Sequence, residues 1–284
     1  MHRISSLLLL LLPLALPAQT FLERCELGIA GGGMNYLGDL NDQSMFGKVN
    51  PAGNLYVRCN IDQRWAVTMG CVYGHIECSQ DCDTRRNLSF RSYIAEGHLR
   101  AEFNFFPYGM RKGTQKRFTP FLFCGIGLFG FNPQAQYPDK EGNLTWRDLQ
   151  PLGTEGQGTN AYPDRQRYSL IELSMPFGIG VRWRLTPGLH LSAEYGWRKT
   201  WTDYLDDVST TYVGSQLLLD EYGETTVAHL LADRSGEVVP GYVNATGIQR
   251  GDTTLDAWYA CFNVSLSVSM ELLFGWLRGR TCER

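Results

Sequence analysis

Long stretches of the chain alternate between apolar and polar residues with a period of two. In 258–274, Trp258, Ala260, Phe262, Val264, Leu266, Val268, Met270, Leu272 and Phe274 share one parity, and Tyr259, Cys261, Asn263, Ser265, Ser267, Ser269 and Glu271 share the other. Residues 169–185 set Ile171, Leu173, Met175, Phe177, Ile179, Val181, Trp183 and Leu185 against Glu172, Ser174, Arg182 and Arg184. Residues 91–105 set Tyr93, Ala95, Leu99, Ala101, Phe103 and Phe105 against Glu96, His98, Arg100, Glu102 and Asn104. In 189–200, Leu189, Leu191, Ala193, Tyr195 and Trp197 oppose His190, Ser192, Glu194 and Arg198, and weaker forms cover 23–37, 52–61, 65–76 and 117–131. Side chains alternate faces along a strand, so the pattern predicts eight strands.

Their length separates two all-β classes. Strands of a water-soluble sandwich run about 5–6 residues, whereas a tilted strand needs about 9–11 to cross a bilayer. Several apolar faces carry a tryptophan near one end (Trp65, Trp183, Trp197, Trp258), the position of an interfacial aromatic girdle. In hydrocarbon an open sheet edge leaves backbone groups unsatisfied, so such strands must close on themselves. The expected fold is a transmembrane antiparallel up-and-down β-barrel of eight strands in a bacterial outer membrane. The connections alternate: 38–51, 77–90, 132–167 and 200–256 are long, 62–64 and 185–189 are tight, and 107–117 is intermediate. Long loops then face outward, and the short turns and both termini face the periplasm. Because 212–232 carries Leu217, Leu218, Leu219, Val227, Leu230 and Leu231, a helix or an added hairpin there, and hence ten strands, is the alternative.

The N-terminus fits export. His2 and Arg3 precede Leu7–Leu12, then Pro13, Ala15, Pro17 and Ala18, which reads as a signal peptide over 1–18. The barrel is expected over 19–284, with a long outer loop at 200–256 and a periplasmic tail at 275–284. A net charge of −3 and a pI near 6.0 exclude a nucleic-acid footprint. With no C-x-x-C pair or zinc-type His/Cys spacing, no metal or cofactor is expected.

Eight strands leave an interior just wide enough for side chains. Glu96, Arg100, Glu102, Glu172, Arg182, Arg184, Glu194, Arg198 and Glu271 have the inward parity, and buried charges persist only when paired. They are expected to form a salt-bridge network rather than a conduit. His190, Ser192 and Glu194 suggest a hydrolase, but same-face neighbours on a strand lie roughly 6.6–7 Å apart, against roughly 2.6–3.2 Å for a nucleophile and its base. No catalytic residue is assigned. Asp203, Asp206 and Asp207 follow at the outer rim. Without EF-hand spacing they read as a loop anchor, solvated or paired with arginine, with Arg198 and Lys199 adjacent. Among the cysteines, Cys25 and Cys282 lie at the two ends of a closed barrel, so they are candidates to bond each other or a partner subunit. Cys78 and Cys82 share an outer loop and form the second candidate pair. Cys59, Cys71 and Cys124 fall on apolar faces and read as inert.

The blocks "NYLGDLND" (35–42), "NLSFRSYIAEGHLRAEFNFFPY" (87–108), "RFTPFLFCGIGLFGFNPQA" (117–135), "LQPLGTEGQG" (149–158), "PFGIGVRWRL" (176–185) and "EYGWRKTWTDYLDDVS" (194–209) resemble, in order, the PorG family. Members are outer-membrane barrels of the type IX secretion system. The resemblance implies a non-enzymatic component that associates with the periplasmic PorK/PorN ring, alongside other membrane components of that machinery and outer-membrane lipid. On that reading the basic turn Arg111, Lys112, Lys116 and Arg117, with the tail 275–284, is the expected periplasmic contact. The alternatives are a structural or adhesin-type barrel and an outer-membrane hydrolase.

Overall fold

Antiparallel pairing carries the chain once around a closed barrel in the computed structural model, which describes residues 24–40, 48–80, 86–108, 116–138, 141–223, 226–254 and 256–279. The wall consists of β1 (Cys25–Leu37), β2 (Asn50–Asn60), β3 (Trp65–Ser79), β4 (Ser89–Asn104), β5 (Phe118–Pro138), β7 (Ile171–Thr186), β8 (Leu189–Thr200) and β9 (Trp258–Ser269). Each pairs with the next, β5 passes directly to β7, and β9 returns to β1. The eight-strand expectation holds for the barrel. A short ninth strand, β6 (Leu144–Asp148), pairs only with the outer end of β5 and projects a hairpin beyond the wall. The signal segment lies outside the described residues.

Parity sorts the side chains as the alternation requires. Ile29, Leu55, Met69, Leu99, Ile126, Leu173, Ile179 and Phe262 are exposed on the outside, the arrangement of a lipid-facing belt. Among the described residues no helix is long and apolar enough to cross a membrane, so the belt belongs to strands. The chain is therefore an outer-membrane-type barrel.

The lower lumen holds four carboxylates, Glu26, Glu96, Glu102 and Glu194, against four guanidiniums, Arg58, Arg100, Arg182 and Arg198, all buried. Glu102 accepts Arg58 Nε at 2.7 Å, Arg182 Nη1 at 3.1 Å and Thr68 Oγ1 at 2.6 Å. Glu26 accepts Arg58 Nη1 at 3.1 Å and Ser267 Oγ at 2.8 Å. Arg100 grips Glu194 with two bonds of 2.8 Å. Arg198 lies 3.6 Å from Glu96, which also accepts the Tyr259 hydroxyl. Phe121 and Phe123 lie beneath Arg182 and Arg100. Below this, Tyr108 folds back into the barrel to meet His190 Nδ1.

Several expectations need correction. Glu271 is not lumenal. It is exposed on α3 (Met270–Gly279), which follows the last strand. The β9 ladder with β1 ends at Glu26↔Ser269, so later residues satisfy their backbone groups within a helix instead. Glu172 and Arg184 have the inward parity but are only half-buried near the two ends. The polar network also stops short of the outer mouth. There the inward positions become apolar (Met34, Val72, Ile76, Phe90, Ile94, Phe129, Phe131) and form a plug.

Cys25 is bonded to Cys59, not to Cys282. The two sit directly opposite in the β1–β2 ladder, with Cα atoms 4.1 Å apart, the close approach that antiparallel cross-strand pairs allow. Cys59 is therefore not inert. Cys282 and Cys82 lie outside the described residues, and the Cys78 thiol donates to the Leu40 carbonyl. Cys71 and Cys124 are free and exposed on the outer face.

Replacing Glu102 with Ala leaves two buried arginines without their shared carboxylate. It is expected to cost about 3–5 kcal/mol in urea unfolding from detergent micelles, while Glu271→Ala stays within about 0.5 kcal/mol. On thiol alkylation without reductant, Cys59→Ser should expose one new thiol at Cys25, whereas Cys282→Ser should leave Cys25 unlabelled.

Candidate functional site: the latched outer mouth

Two of the sequence blocks, 149–158 and 194–209, meet above the apolar plug. In the first, left-handed backbone at Gly153 (φ +60°) and Gly156 (φ +82°) folds the loop tightly enough to turn Glu155 inward. At Gly153 a Cβ would come within 2.5 Å of the Gln157 carbonyl oxygen. In the second, a single 3-10 turn, Tyr204–Asp206, ends in Asp207 with φ +67°, a conformation aspartate tolerates better than most residues. The loop that follows β8 is ordered around two helices, α1 (Ser215–Tyr222) and α2 (Ala228–Ala232), and a bridge between Thr211 and Gln249. The helix alternative for 212–232 is the one found, with no added hairpin strands in the wall.

Glu155 is the hub. Its carboxylate accepts the backbone N–H groups of Ser209 (3.0 Å) and Thr210 (2.9 Å), the Thr210 hydroxyl (2.6 Å) and Arg250 Nη1 (2.9 Å). Arg250 also donates to the carbonyls of Asp207 (2.6 Å) and Ala232 (3.1 Å). Asp207 accepts the hydroxyls of Thr154 and Tyr168. Asp206 accepts Tyr36 of β1 at 2.6 Å and the Val208 amide at 3.0 Å. Asp203 accepts the Ser209 hydroxyl. The three acids thus turn to separate partners instead of converging as cation ligands. They anchor the loop, and the paired arginine is Arg250, not Arg198. Other outer segments are tied in by Asp39, which accepts the Asp252 amide at 2.6 Å, and by Asn87, which donates to Glu237 at 3.0 Å.

Within this cap three buried carboxyls, Glu155, Asp206 and Asp207, share one buried cation, Arg250. That imbalance matters. Burial pushes the Asp206 carboxyl up to about 8, with the Tyr36 and Val208 hydrogen bonds opposing it. Burial raises Asp207 to about 6 against the pull of Arg250. Burial also raises Asp203 and Asp39.

The trio at 190–194 is dispersed: His190 meets Tyr108, Ser192 meets Ser265 at 2.6 Å, and Glu194 meets Arg100. Of the basic turn, Lys116 is exposed and stacks 4.2 Å from the Phe106 ring, and Arg117 is exposed. Arg111 and Lys112 lie outside the described residues. Sequence reasoning missed Arg250, Tyr36 and Tyr168, since nothing in their spacing joins them to the acids. It also missed Glu26 and Arg58, whose shared inward parity was a usable signal in two weakly alternating segments.

Residues 2–145 match the family described as a domain of unknown function, DUF6089. The chain belongs to that family. No curated protein sequence matches it. Among solved structures, it is similar to the attachment invasion locus protein Ail of Yersinia pestis (TM-score 0.38, 9% identity, covering 86% of this chain and 96% of that one). It is likewise similar to neisserial surface protein A (0.38, 11%, 86% and 96%) and to OprG of Pseudomonas aeruginosa (0.37, 12%, 86% and 96%). The barrel assignment for this DUF6089 member rests on its own strand pairing.

The cap carries a pH dependence of definite sign. Asp206 binds its proton more tightly in the folded state than at its ordinary value of 3.8. Between about 4 and 8 the folded form therefore holds the extra proton, and stability falls as pH rises through that window. Limited proteolysis of the 201–257 loop should be faster at pH 9 than at pH 6. Asp206→Asn, which keeps an acceptor for Tyr36, should flatten that difference. Arg250→Met should speed cleavage at both pH values.

Proposed function

We propose that this protein is a non-enzymatic integral outer-membrane component of a type IX-like secretion machine, anchoring the periplasmic PorK/PorN ring at the membrane in support of cargo export. The observation that carries the non-conduit part of this reading is the filled lumen. Among the described residues, four ion-paired carboxylates below, an apolar plug above and the Glu155–Arg250 latch occupy the lumen, which supports a role other than conduction. Function then resides on the outside of the wall and at its two ends. The type IX assignment is supported by the six ordered sequence blocks. Two of them, which lie far from a periplasmic ring, have a structural reason to occur together because they build the latch.

The periplasmic end offers the contact. Exposed Phe105 and Phe106, Lys116 and Arg117, and the start of α3 with exposed Leu272 and Phe274 combine apolar and cationic groups. Deletion of the gene should abolish cargo in the culture medium. Replacing Arg111, Lys112, Lys116 and Arg117 together with Ala should release ring subunits in a pull-down while the barrel remains heat-modifiable on gels. Normal cargo release on deletion would instead favour the structural or adhesin-type reading.

A further inference from the structure

The lipid-facing belt has a depression among the described residues. The small residues Gly53, Cys71, Ala95 and Gly97 occupy two adjacent outward rows on β2–β4, Gly53↔Tyr73↔Ala95 and Leu55↔Cys71↔Gly97. With Leu55 and Tyr73 as walls they line a hollow of about 640 Å3. Packing does not demand these glycines. A Cβ on Gly97 meets nothing within 4 Å, and one on Gly53 meets only the Ala30 carbonyl oxygen at 3.8 Å. At Gly32 and Gly125, by contrast, it would come within 1.8 and 2.2 Å of backbone oxygens across the sheet. A strand glycine is destabilising by about 0.5–1 kcal/mol relative to alanine, and it marks a bulge, a bend at a barrel corner, or the close approach of a ligand or another backbone. The unbroken β2–β3 and β3–β4 registers at Gly53 and Gly97 show no bulge.

A cation stands at the outer end of the same strand. Arg91 faces outward on β4, its guanidinium 3.7 Å over the Trp146 ring and 4.9 Å over Tyr93. It donates to Gln134 Oε1 at 3.0 Å, and its buried Nε has no hydrogen-bond partner. Its cross-strand neighbour Glu77 is engaged by Lys48 at 2.7 Å. Among the described residues Arg91 forms no ion pair. Arg91 and Gly97 are six residues apart, roughly 20 Å along a strand. At a tilt of about 40° that is roughly 15 Å of depth, half of the ~30 Å hydrocarbon core. Gly97 is at mid-height of β4 (Ser89–Asn104), so a bilayer centred on the wall puts the hollow near its midplane and the cation near headgroup level. These are the dimensions of one acyl chain beneath one headgroup.

We propose that this face is a binding site for a phosphorylated glycolipid of the outer leaflet, with a phosphate on Arg91 and an acyl chain in the hollow. A guanidinium pre-oriented by aromatic stacking suits a phosphate. The β5–β6 hairpin, with Trp146 and the exposed Leu144, rises past the rim where a sugar backbone lies and a phospholipid headgroup does not reach. The site is on the membrane face and is independent of the secretion reading.

Full-length protein in neutral detergent micelles would be titrated with bisphosphorylated lipid A, with the same lipid dephosphorylated, and with phosphatidylglycerol, with native mass spectrometry as the readout. Wild type should bind lipid A about tenfold more tightly than its dephosphorylated form, and Arg91→Ala should erase that preference. Gly97→Leu should weaken lipid A binding by about tenfold, through loss of space for a few methylenes. Gly53→Leu is the second groove variant, and heat-modifiability checks the fold of each. The site is overturned if wild type shows no phosphate preference, or if both groove variants bind as wild type does. Phosphatidylglycerol binding as tightly as lipid A would overturn the glycolipid assignment.

Discussion

Backbone hydrogen bonding in hydrocarbon is the constraint from which the rest of this molecule follows. A lipid-exposed N–H or C=O has no water to turn to, so the sheet must close, and β9 pairs with β1 over the whole of the first strand after Cys25. Closure of eight strands defines a narrow interior, and the period of two delivers every second residue into it. Those residues include eight full charges. Buried singly they would be prohibitive, but Glu102 between Arg58 and Arg182, and Arg100 on Glu194, neutralise one another within hydrogen-bonding distance. The network tolerates little change because Glu26, Glu96 and Glu102 each serve more than one partner.

The two ends of the lumen are closed by different chemistry. At the short-turn end Tyr108 and His190 complete the polar packing. At the outer end the inward positions turn apolar, and the cap sits on them through Leu205, Val208 and Leu231. Above that seam the polar latch is out of charge balance, one arginine for three carboxyls. Burial then makes the Asp206 and Asp207 carboxyls hold their protons to higher pH than usual, Asp206 the more so. The cap is thus tied to the wall by Tyr36 and Asp206 and to its own loops by Glu155. These ties hold the described loop segments together over the barrel mouth, and the outward-facing wall and the short-turn rim are left as surfaces available to other molecules.

Strand number, the inward or outward direction of nearly every strand residue, and the alternation of long and short connections were all legible in the chain. They depend on a local repeat that lipid and closure then enforce, and Glu96, Arg100, Glu102, Arg182, Glu194 and Arg198 were found by parity alone. Parity failed where local pattern and pairing partner part company. Met270 to Phe274 continue the alternation, yet the β1–β9 ladder ends at Glu26 opposite Ser269, and the chain coils. Cys25 has two neighbouring strands in a closed barrel, and only the register places Cys59, not the chain end, opposite it.

By itself, the sequence determined that this is a transmembrane-type eight-stranded barrel with a charged interior, because a period of two sustained beyond the length of a soluble strand has no other stable solution. Tertiary structure alone decided which carboxylate meets which arginine, that Arg250 joins Glu155 across 95 positions of chain, and that four small outward residues beneath Arg91 line a single hollow. Those contacts depend on strand tilt and loop packing, which bring together residues with no relation in sequence spacing, and no local pattern encodes them.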